Sequence, residues 1–125
     1  MILTTTMVKN WMKSVVTTQS ITMGKLDRTK EQTVCVYGSR SSSPARLFPA
    51  SYDDKTVQVI VRWTHDSELA ETKAAEVYGQ IANQAFQVQG KAARSIPVYD
   101  EPISLGTDEK GVYEYSIDLT IYCER

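Results

Sequence analysis

The period of the hydrophobic pattern changes within residues 57–86, and this change constrains the fold more than any other feature of the sequence. Between Val57 and Trp63 every second residue is apolar, which is the spacing of a strand with one face turned to a core. Beyond Asp66 the apolar residues recur at intervals of three and four, which is the spacing of one helix face. The stretch therefore predicts a strand that leads directly into a helix.

The predicted helix has a start signal, a stop signal and a continuous apolar stripe. Asp66 is suited to the N-cap, and Glu68 and Glu71 lie near the positive end of the helix dipole. Gly90 is a stop signal after the last turn. The stripe consists of Ala70, Ala74, Val77, Ile81 and Ala85, and it is widened by Leu69, Tyr78 and Ala82.

The residues before this stretch predict one more helix and two more strands. Apolar residues spaced by threes and fours, such as Met7 and Trp11, predict a helix over residues 4–16. Two short strands are expected to form a hairpin through a charged turn, and a second turn is expected before the central strand. These strands and turns are predicted at residues 21–26, 32–37, 27–31 and 52–55, respectively.

The residues after the long helix predict a final pair of strands. Residues 92–99 predict an edge or interrupted strand around Pro97, which residues 102–105 extend after a kink. Strict alternation from Tyr113 to Cys123 predicts the clearest strand of the chain, with one face in water. The connection over residues 106–111 predicts a hairpin turn, in which Gly111 takes a positive φ.

Together these elements predict an α+β fold in a single domain spanning residues 1–125. Strands occur on both sides of a helix and are joined by hairpins rather than by repeated crossovers. We expect a single, largely antiparallel sheet of four to five strands with two helices packed on one face. A chain of this length can bury a core of its own.

Composition favours a folded protein of the cytoplasm. Hydrophobic residues make up 42% and charged residues 23%, as is usual in globular domains. No apolar run approaches the roughly 18 residues that a membrane span needs. The first residues lack the basic start, apolar core and cleavage site of a signal peptide. We therefore expect no membrane contact, and we expect the protein to be made and kept in the cytoplasm.

The residues that carry enzyme chemistry predict no catalytic, cofactor or metal site. His65 is the only histidine, and its neighbour Asp66 is used more simply as a helix cap. Cys35 and Cys123 lack metal-ligand or redox spacing, and a disulfide between them is disfavoured in a reducing cytosol, so we expect plain apolar side chains. The acidic pairs lie in predicted turns, namely Asp53–Asp54, Asp100–Glu101 and Asp108–Glu109.

Charge is distributed unevenly along the chain. Residues 1–55 carry a net charge of +4 and residues 56–125 carry −5. This asymmetry is consistent with chance, or with a dipolar surface suited to head-to-tail association of identical copies. A sequence pI of about 5.8 lacks the basic footprint of a DNA-binding domain, so we expect no sequence-specific contact with nucleic acid.

The loop at residues 38–46 is the candidate contact site. It is poor in apolar residues and rich in serine, and we expect it to be flexible. A serine-rich arm with two arginines is typical either of a contact arm that becomes ordered against a protein partner or of a plain surface loop. The candidate interface residues are Arg40, Ser41, Ser42, Ser43 and Arg46.

Taken over its whole length, the chain resembles the small minor capsid or tail terminator proteins of siphophages. The resemblance is carried by the opening helix, a short strand, the serine and arginine loop, the strand that enters the alanine-rich helix, and the closing strand. These segments are Met7–Lys13, Gln32–Gly38, residues 38–46, Val57–Trp63 and Tyr113–Tyr122. The chain has Ser41–Pro44 where relatives often have a glycine-rich loop, which leaves the role of this loop open.

The resemblance implies a virion protein of the tail and neck that is not an enzyme. Such proteins form a homo-hexameric ring on the tail tube protein, stop tube polymerisation and present the surface that joins the head connector, or neck, protein. We therefore expect the protein in the host cytoplasm during assembly and in the virion afterwards. The alternatives are another neck or head-completion protein of the same virion, and a non-viral α+β interaction module.

Overall fold

The computed structural model describes residues 4–16, 21–23, 32–38 and 52–124. These residues form two helices and seven strands, which confirms the α+β class and the largely antiparallel sheet. The sheet has more strands than expected, because one strand after the long helix lacks a clear sequence signal and another is separate from its predecessor. In chain order the elements are α1 Thr5–Val15, β1 Ile21–Met23, β2 Thr33–Gly38, β3 Tyr52–Arg62, α2 Ser67–Ile81, β4 Ala85–Val88, β5 Lys91–Pro97, β6 Ile103–Thr107 and β7 Tyr113–Glu124.

Helix α1 confirms the helix predicted over residues 4–16. The Thr4 hydroxyl oxygen accepts a hydrogen bond from the Met7 amide, at 3.3 Å, and so satisfies one of the amides that a first helical turn leaves unpaired. Val8 and Met12 are buried one turn apart, and Lys13 lies near the negative end of the helix dipole. The cap and the apolar face therefore fix both the position and the orientation of α1.

The long strands β3 and β7 form the centre of the sheet. They pair antiparallel from Tyr52 opposite Glu124 to Arg62 opposite Glu114. The spatial order is β1-β2-β3-β7-β5-β4, and β6 also pairs with β7. Strands β5 and β6 thus follow one another along the same edge of β7, which matches the predicted interrupted strand. The predicted turn at residues 52–55 is wrong, because these residues belong to β3.

Strands β1 and β2 pair in parallel, so the predicted hairpin is wrong. Ile21 lies opposite Val34, and the two strands run in the same direction. A tight turn can only reverse the chain, so parallel neighbours need a longer connection between them. The charged turn predicted at residues 27–31, and the end of the strand predicted at residues 21–26, lie outside the described residues.

Helix α2 begins as predicted but ends earlier. The carboxylate of Asp66 accepts hydrogen bonds from the amides of Glu68 and Leu69, at 3.0 and 3.2 Å, which confirms the predicted N-cap. The helix ends at Ile81, and Asn83 takes a left-handed conformation with φ of 57°. Gly90 therefore does not stop the helix. It lies in the turn of the β4–β5 hairpin, and Ala85 belongs to β4.

Both helices pack against one face of the sheet, as predicted. Val8 and Met12 of α1 share one hydrophobic core with Val77 and Ile81 of α2. Leu69 is 57% exposed, so its predicted place in the apolar stripe is wrong. The strand residues that meet the helices alternate along each strand and include Val34, Val36, Val57, Val59, Val61, Ile117, Leu119 and Ile121.

Candidate interaction surfaces

The joint between β3 and α2 holds His65 against the β6–β7 turn. The Nε2 atom of His65 lies 2.8 Å from the carbonyl oxygen of Lys110, and a carbonyl only accepts, so Nε2 donates. Two backbone hydrogen bonds continue the β3–β7 ladder beyond Arg62, one from the Trp63 amide to Tyr113 and one from the Tyr113 amide to Thr64. The structure thus gives His65 a role in fixing the joint.

A buried ion pair lies under the same turn. The guanidinium of Arg62 is 1% exposed, and its Nη2 atom lies 2.8 Å from Oδ2 of Asp108, which also accepts a hydrogen bond from Nε at 2.9 Å. The buried Glu114 stands opposite Arg62 in the β3–β7 register. Glu114 and Ser116 are on the face of β7 predicted to meet water, and their burial makes that prediction wrong at this end of the strand.

The carboxylate of Asp108 is held in its charged form. Desolvation raises its pKa, but hydrogen bonds from the Val112 amide, the Arg62 side chain and the Lys110 amide outweigh this effect and lower the pKa to about 2. The two carboxylate oxygens are therefore used to hold the turn and to neutralise Arg62. This arrangement leaves Asp108 a poor proton acceptor.

A pocket of about 470 Å³ lies beside this turn and is lined by Thr107, Asp108, Glu109, Lys110 and Glu114. Its charged groups include the carboxylate already paired with Arg62. Within the described ranges, no group of three or more histidine, cysteine, aspartate or glutamate side chains is arranged to hold a metal ion. Cys35 and Cys123 are both buried as thiols, which is the environment expected of small apolar side chains.

The face of the sheet opposite the helices carries large exposed apolar side chains. Ile96 of β5 and Tyr122 of β7 are 38% and 36% exposed, and both project from this face, since Ile96 pairs with Thr120 and Tyr122 pairs with Arg94. Ile103 of β6 pairs with Ser116 on the same face and is 40% exposed. Exposed apolar residues grouped on one face are typical of a protein-contact surface.

A second surface feature, which we call the acidic groove, lies between α2 and β6. It has a volume of about 410 Å³. Glu71 and Glu101 stand among its lining, and neither forms an ion pair with any residue of the described ranges. The remainder of the lining consists of Ala74, Ala75, Pro102, Ile103, Ser104 and Tyr115. The groove therefore combines two carboxylates with a lining of mixed polar and apolar residues.

The interface residues predicted from the sequence lie outside the described residues. Arg40, Ser41, Ser42, Ser43 and Arg46 all fall between β2, which ends at Gly38, and β3, which begins at Tyr52. The structure places both flanking positions, because Gly38 pairs with Val57 and Tyr52 pairs with Glu124.

Comparison with protein families decides the class of the chain. The family model described as bacteriophage tail terminator protein matches residues 11–125, nearly the whole chain. The chain belongs to the bacteriophage tail terminator family. The resemblance inferred from the sequence is thereby confirmed, and membership makes the chain a structural protein of the phage tail and associates it with the virion.

Comparison of this tail terminator family member with solved structures concerns its fold alone. A solved structure superposes with a TM-score of 0.52 at 17% sequence identity, covering 96% of this chain and 89% of that chain. Identity this low supports a shared fold and no more. The comparison with curated proteins gave no match. Neither helix in the described ranges has the length and apolar character needed to cross a bilayer.

Proposed function

We propose that this protein closes into a homo-hexameric ring on the end of the tail tube, stops tube polymerisation and forms the surface that joins the head. The observation that carries this proposal is the family match over residues 11–125. The protein acts by shape, with no catalytic step and no cofactor. Its partners are other copies of itself, the tail tube protein and the head–tail connector, or neck, protein.

Features of the described residues support a ring built from identical copies. A closed ring needs two different surfaces on each copy that meet their counterparts on the two neighbours. The apolar face around Ile96 and Tyr122 and the acidic groove are two such different surfaces. The central pair of strands, β3 and β7, matches over eleven positions and gives each copy a rigid body that holds the ring angle.

We further propose that Arg40, Ser41, Ser42, Ser43 and Arg46 form a contact arm. The absence of acidic residues from positions 39–51 supports this role, because the arm carries only positive charge. Replacing both arginines by glutamate should weaken attachment of the partner and leave the melting temperature nearly unchanged. A large fall in melting temperature would instead show that the arm stabilises the fold.

Electron microscopy of particles assembled without this protein tests the proposed function. Overlong or uncapped tails are the expected result, because nothing would end growth of the tube. Normal free tails beside leaking heads would contradict the proposal and would favour a head-completion role in the same virion.

A further inference from the structure

A hollow of about 410 Å³ lies where β4, β5 and the end of β7 meet. Arg94 of β5 pairs with Tyr122 of β7 and with Ala85 of β4, so these three side chains share the sheet face opposite the helices. Ala85 and Ala92 are exposed and small, and they leave room for side chains from outside. We call this feature the alanine hollow, and its lining consists of Ala85, Ala92, Ala93, Arg94, Tyr122, Cys123 and Glu124.

The charges of the alanine hollow favour an occupant that is partly acidic. Among the lining residues that the structure describes, Arg94 alone is a cation, and it forms no ion pair with any other described residue. Glu124 lies two positions beyond Tyr122, which is about 7 Å along β7. An occupant is therefore attracted when it places a carboxylate at Arg94 and apolar atoms on the alanines.

The segment that follows β5 has the complementary chemistry. Residues 98–101 are Val-Tyr-Asp-Glu, two large apolar side chains followed by two carboxylates. Val98 and Tyr99 are each about half exposed, and Asp100 and Glu101 are also exposed. Neither carboxylate forms an ion pair within the described part of the chain. The segment thus offers both the apolar surface and the negative charge that the alanine hollow favours.

Hydrogen bonds to the backbone hold this segment in place. The Val98 amide donates to the carbonyl oxygen of Asp118 in β7, at 2.9 Å. The Tyr78 hydroxyl of α2 donates to the carbonyl oxygen of Tyr99, at 2.8 Å. Both bonds use backbone atoms of the segment, so its side chains are left to make other contacts. A segment that is already ordered loses little conformational entropy when it docks.

The segment and the alanine hollow occupy separate positions on one copy. Val98 contacts Asp118, whereas the hollow extends from Tyr122 to Glu124 on the same strand. Four to six positions along β7 separate them, which is about 14–20 Å. Because its hydrogen bonds hold the segment at Asp118, it does not fill the hollow of its own chain. The complementary occupant is therefore the same segment of a second copy.

We propose that residues 98–101 of one copy dock in the alanine hollow of a second copy, with their carboxylates at Arg94 and their apolar side chains on the alanines. This proposal rests on the proposed ring and names a contact that builds it. Tyr122 belongs to the apolar face and Glu101 lines the acidic groove, so the contact brings those two surfaces together. Two different surfaces make the contact heterologous, and it passes from each copy to the next.

Charge exchange in the full-length protein tests this contact. Arg94→Glu should weaken association of copies about tenfold or more, measured by native mass spectrometry over a concentration series. Adding Asp100→Lys/Glu101→Lys to that variant should restore much of the association, because the charges are exchanged rather than lost. Lys91→Glu, an equal charge change at the exposed start of β5, is the matched control and should associate as the wild type does.

Filling the alanine hollow tests the apolar half of the contact. Ala92→Trp places a large side chain where the segment would dock, and it should also weaken association about tenfold or more. Ala92→Ser keeps the side chain small and should associate as the wild type does. Circular dichroism checks that each variant folds. If Arg94→Glu or Ala92→Trp fails to fold, Arg94→Gln or Ala92→Leu replaces it, and weakened association is again the expected result.

The outcomes separate this contact from the ring itself. If the wild type forms rings and the Arg94 and Ala92 variants form them at the same concentrations, the docking contact is overturned and the ring stands. Failure of the exchanged charges to restore association also overturns the contact. A wild-type chain that stays monomeric at every concentration and on tails overturns the ring and the contact together.

Discussion

The buried hydroxyl of Ser95 should determine where α2 ends, and replacing Ser95 with alanine should destabilise the fold. Ser95 is fully buried in β5. Its Oγ donates to the carbonyl oxygen of Ile81 at 2.5 Å and accepts from the amide of Gln84 at 2.9 Å. This single hydroxyl thus pairs with the Ile81 carbonyl of the last helical turn and with the Gln84 amide of the segment that leads into β4.

The magnitude follows from the two groups that the substitution leaves without a partner. A buried donor or acceptor that loses its hydrogen bond costs about 1–3 kcal/mol. Ile81 is fully buried, whereas Gln84 is partly exposed and gains access to water more readily. We therefore expect Ser95→Ala to lower the free energy of unfolding by about 2–4 kcal/mol.

Urea denaturation at 25 °C and neutral pH measures this change. The control is Ser104→Ala, which removes an exposed hydroxyl that accepts from the Gly106 amide at 3.3 Å, and it should change stability by less than about 0.5 kcal/mol. Hydrogen exchange at residues 82–88 should accelerate in Ser95→Ala. If Ser95→Ala is as stable as Ser104→Ala, the reasoning that this hydroxyl ends α2 is refuted.

Two further predictions concern the carboxylate of Asp108 and the glycines Gly38 and Gly79. Because the pKa of Asp108 is about 2 in the folded state, against 3.8 in the reference state, its charge stabilises the fold above about pH 4, and this contribution disappears as the pH falls to about 2. Asp108→Asn should therefore be less stable than the wild type at pH 7 and converge with it near pH 2 in denaturant titrations; a constant difference would contradict this. A methyl group at Gly38 would meet the Thr5 hydroxyl, whereas one at Gly79 would meet nothing within 4 Å. Thermal melts should show Gly38→Ala destabilised by about 1–2 kcal/mol and Gly79→Ala stabilised by about 0.5–1 kcal/mol, and equal effects would contradict the account.

Local patterns are sufficient to predict both helices, the N-cap of α2 and most of the two central strands. The N-cap role of Asp66 is predictable because its carboxylate accepts from amides only two and three residues later, so the contacts are local in sequence. The alternation of β7 is equally local, since successive side chains of any strand point to opposite faces. Gly111 has φ of 79°, as the predicted hairpin requires.

Contacts between distant residues account for the errors. Helix α2 ends at Ile81 because the hydroxyl of Ser95, fourteen residues later, donates a hydrogen bond to the carbonyl oxygen of Ile81. Strand β4 lacks a clear sequence signal because three of its four residues are not fully buried. It is held instead by a distant contact, since Phe86 stacks on Trp11 of α1 with 3.9 Å between ring centroids. The parallel pairing of β1 with β2 likewise depends on tertiary contacts, and no local turn signal in the sequence indicates it.

The acidic groove is beyond local prediction for the same reason. Its carboxylates, Glu71 and Glu101, are thirty positions apart, and its lining adds Tyr115 from a third element. The unusual composition of residues 38–46 is visible without a fold, and the contact role of Arg40 and Arg46 stays a prediction.

Polymerisation of purified tail tube protein, with and without this protein, tests the central claim most directly. We predict that adding it fixes tube length at a short, concentration-dependent value, with one ring of copies seen at the capped end by cryo-electron microscopy. Tubes that grow to the same length in its presence, or that bear no ring at either end, would contradict the account.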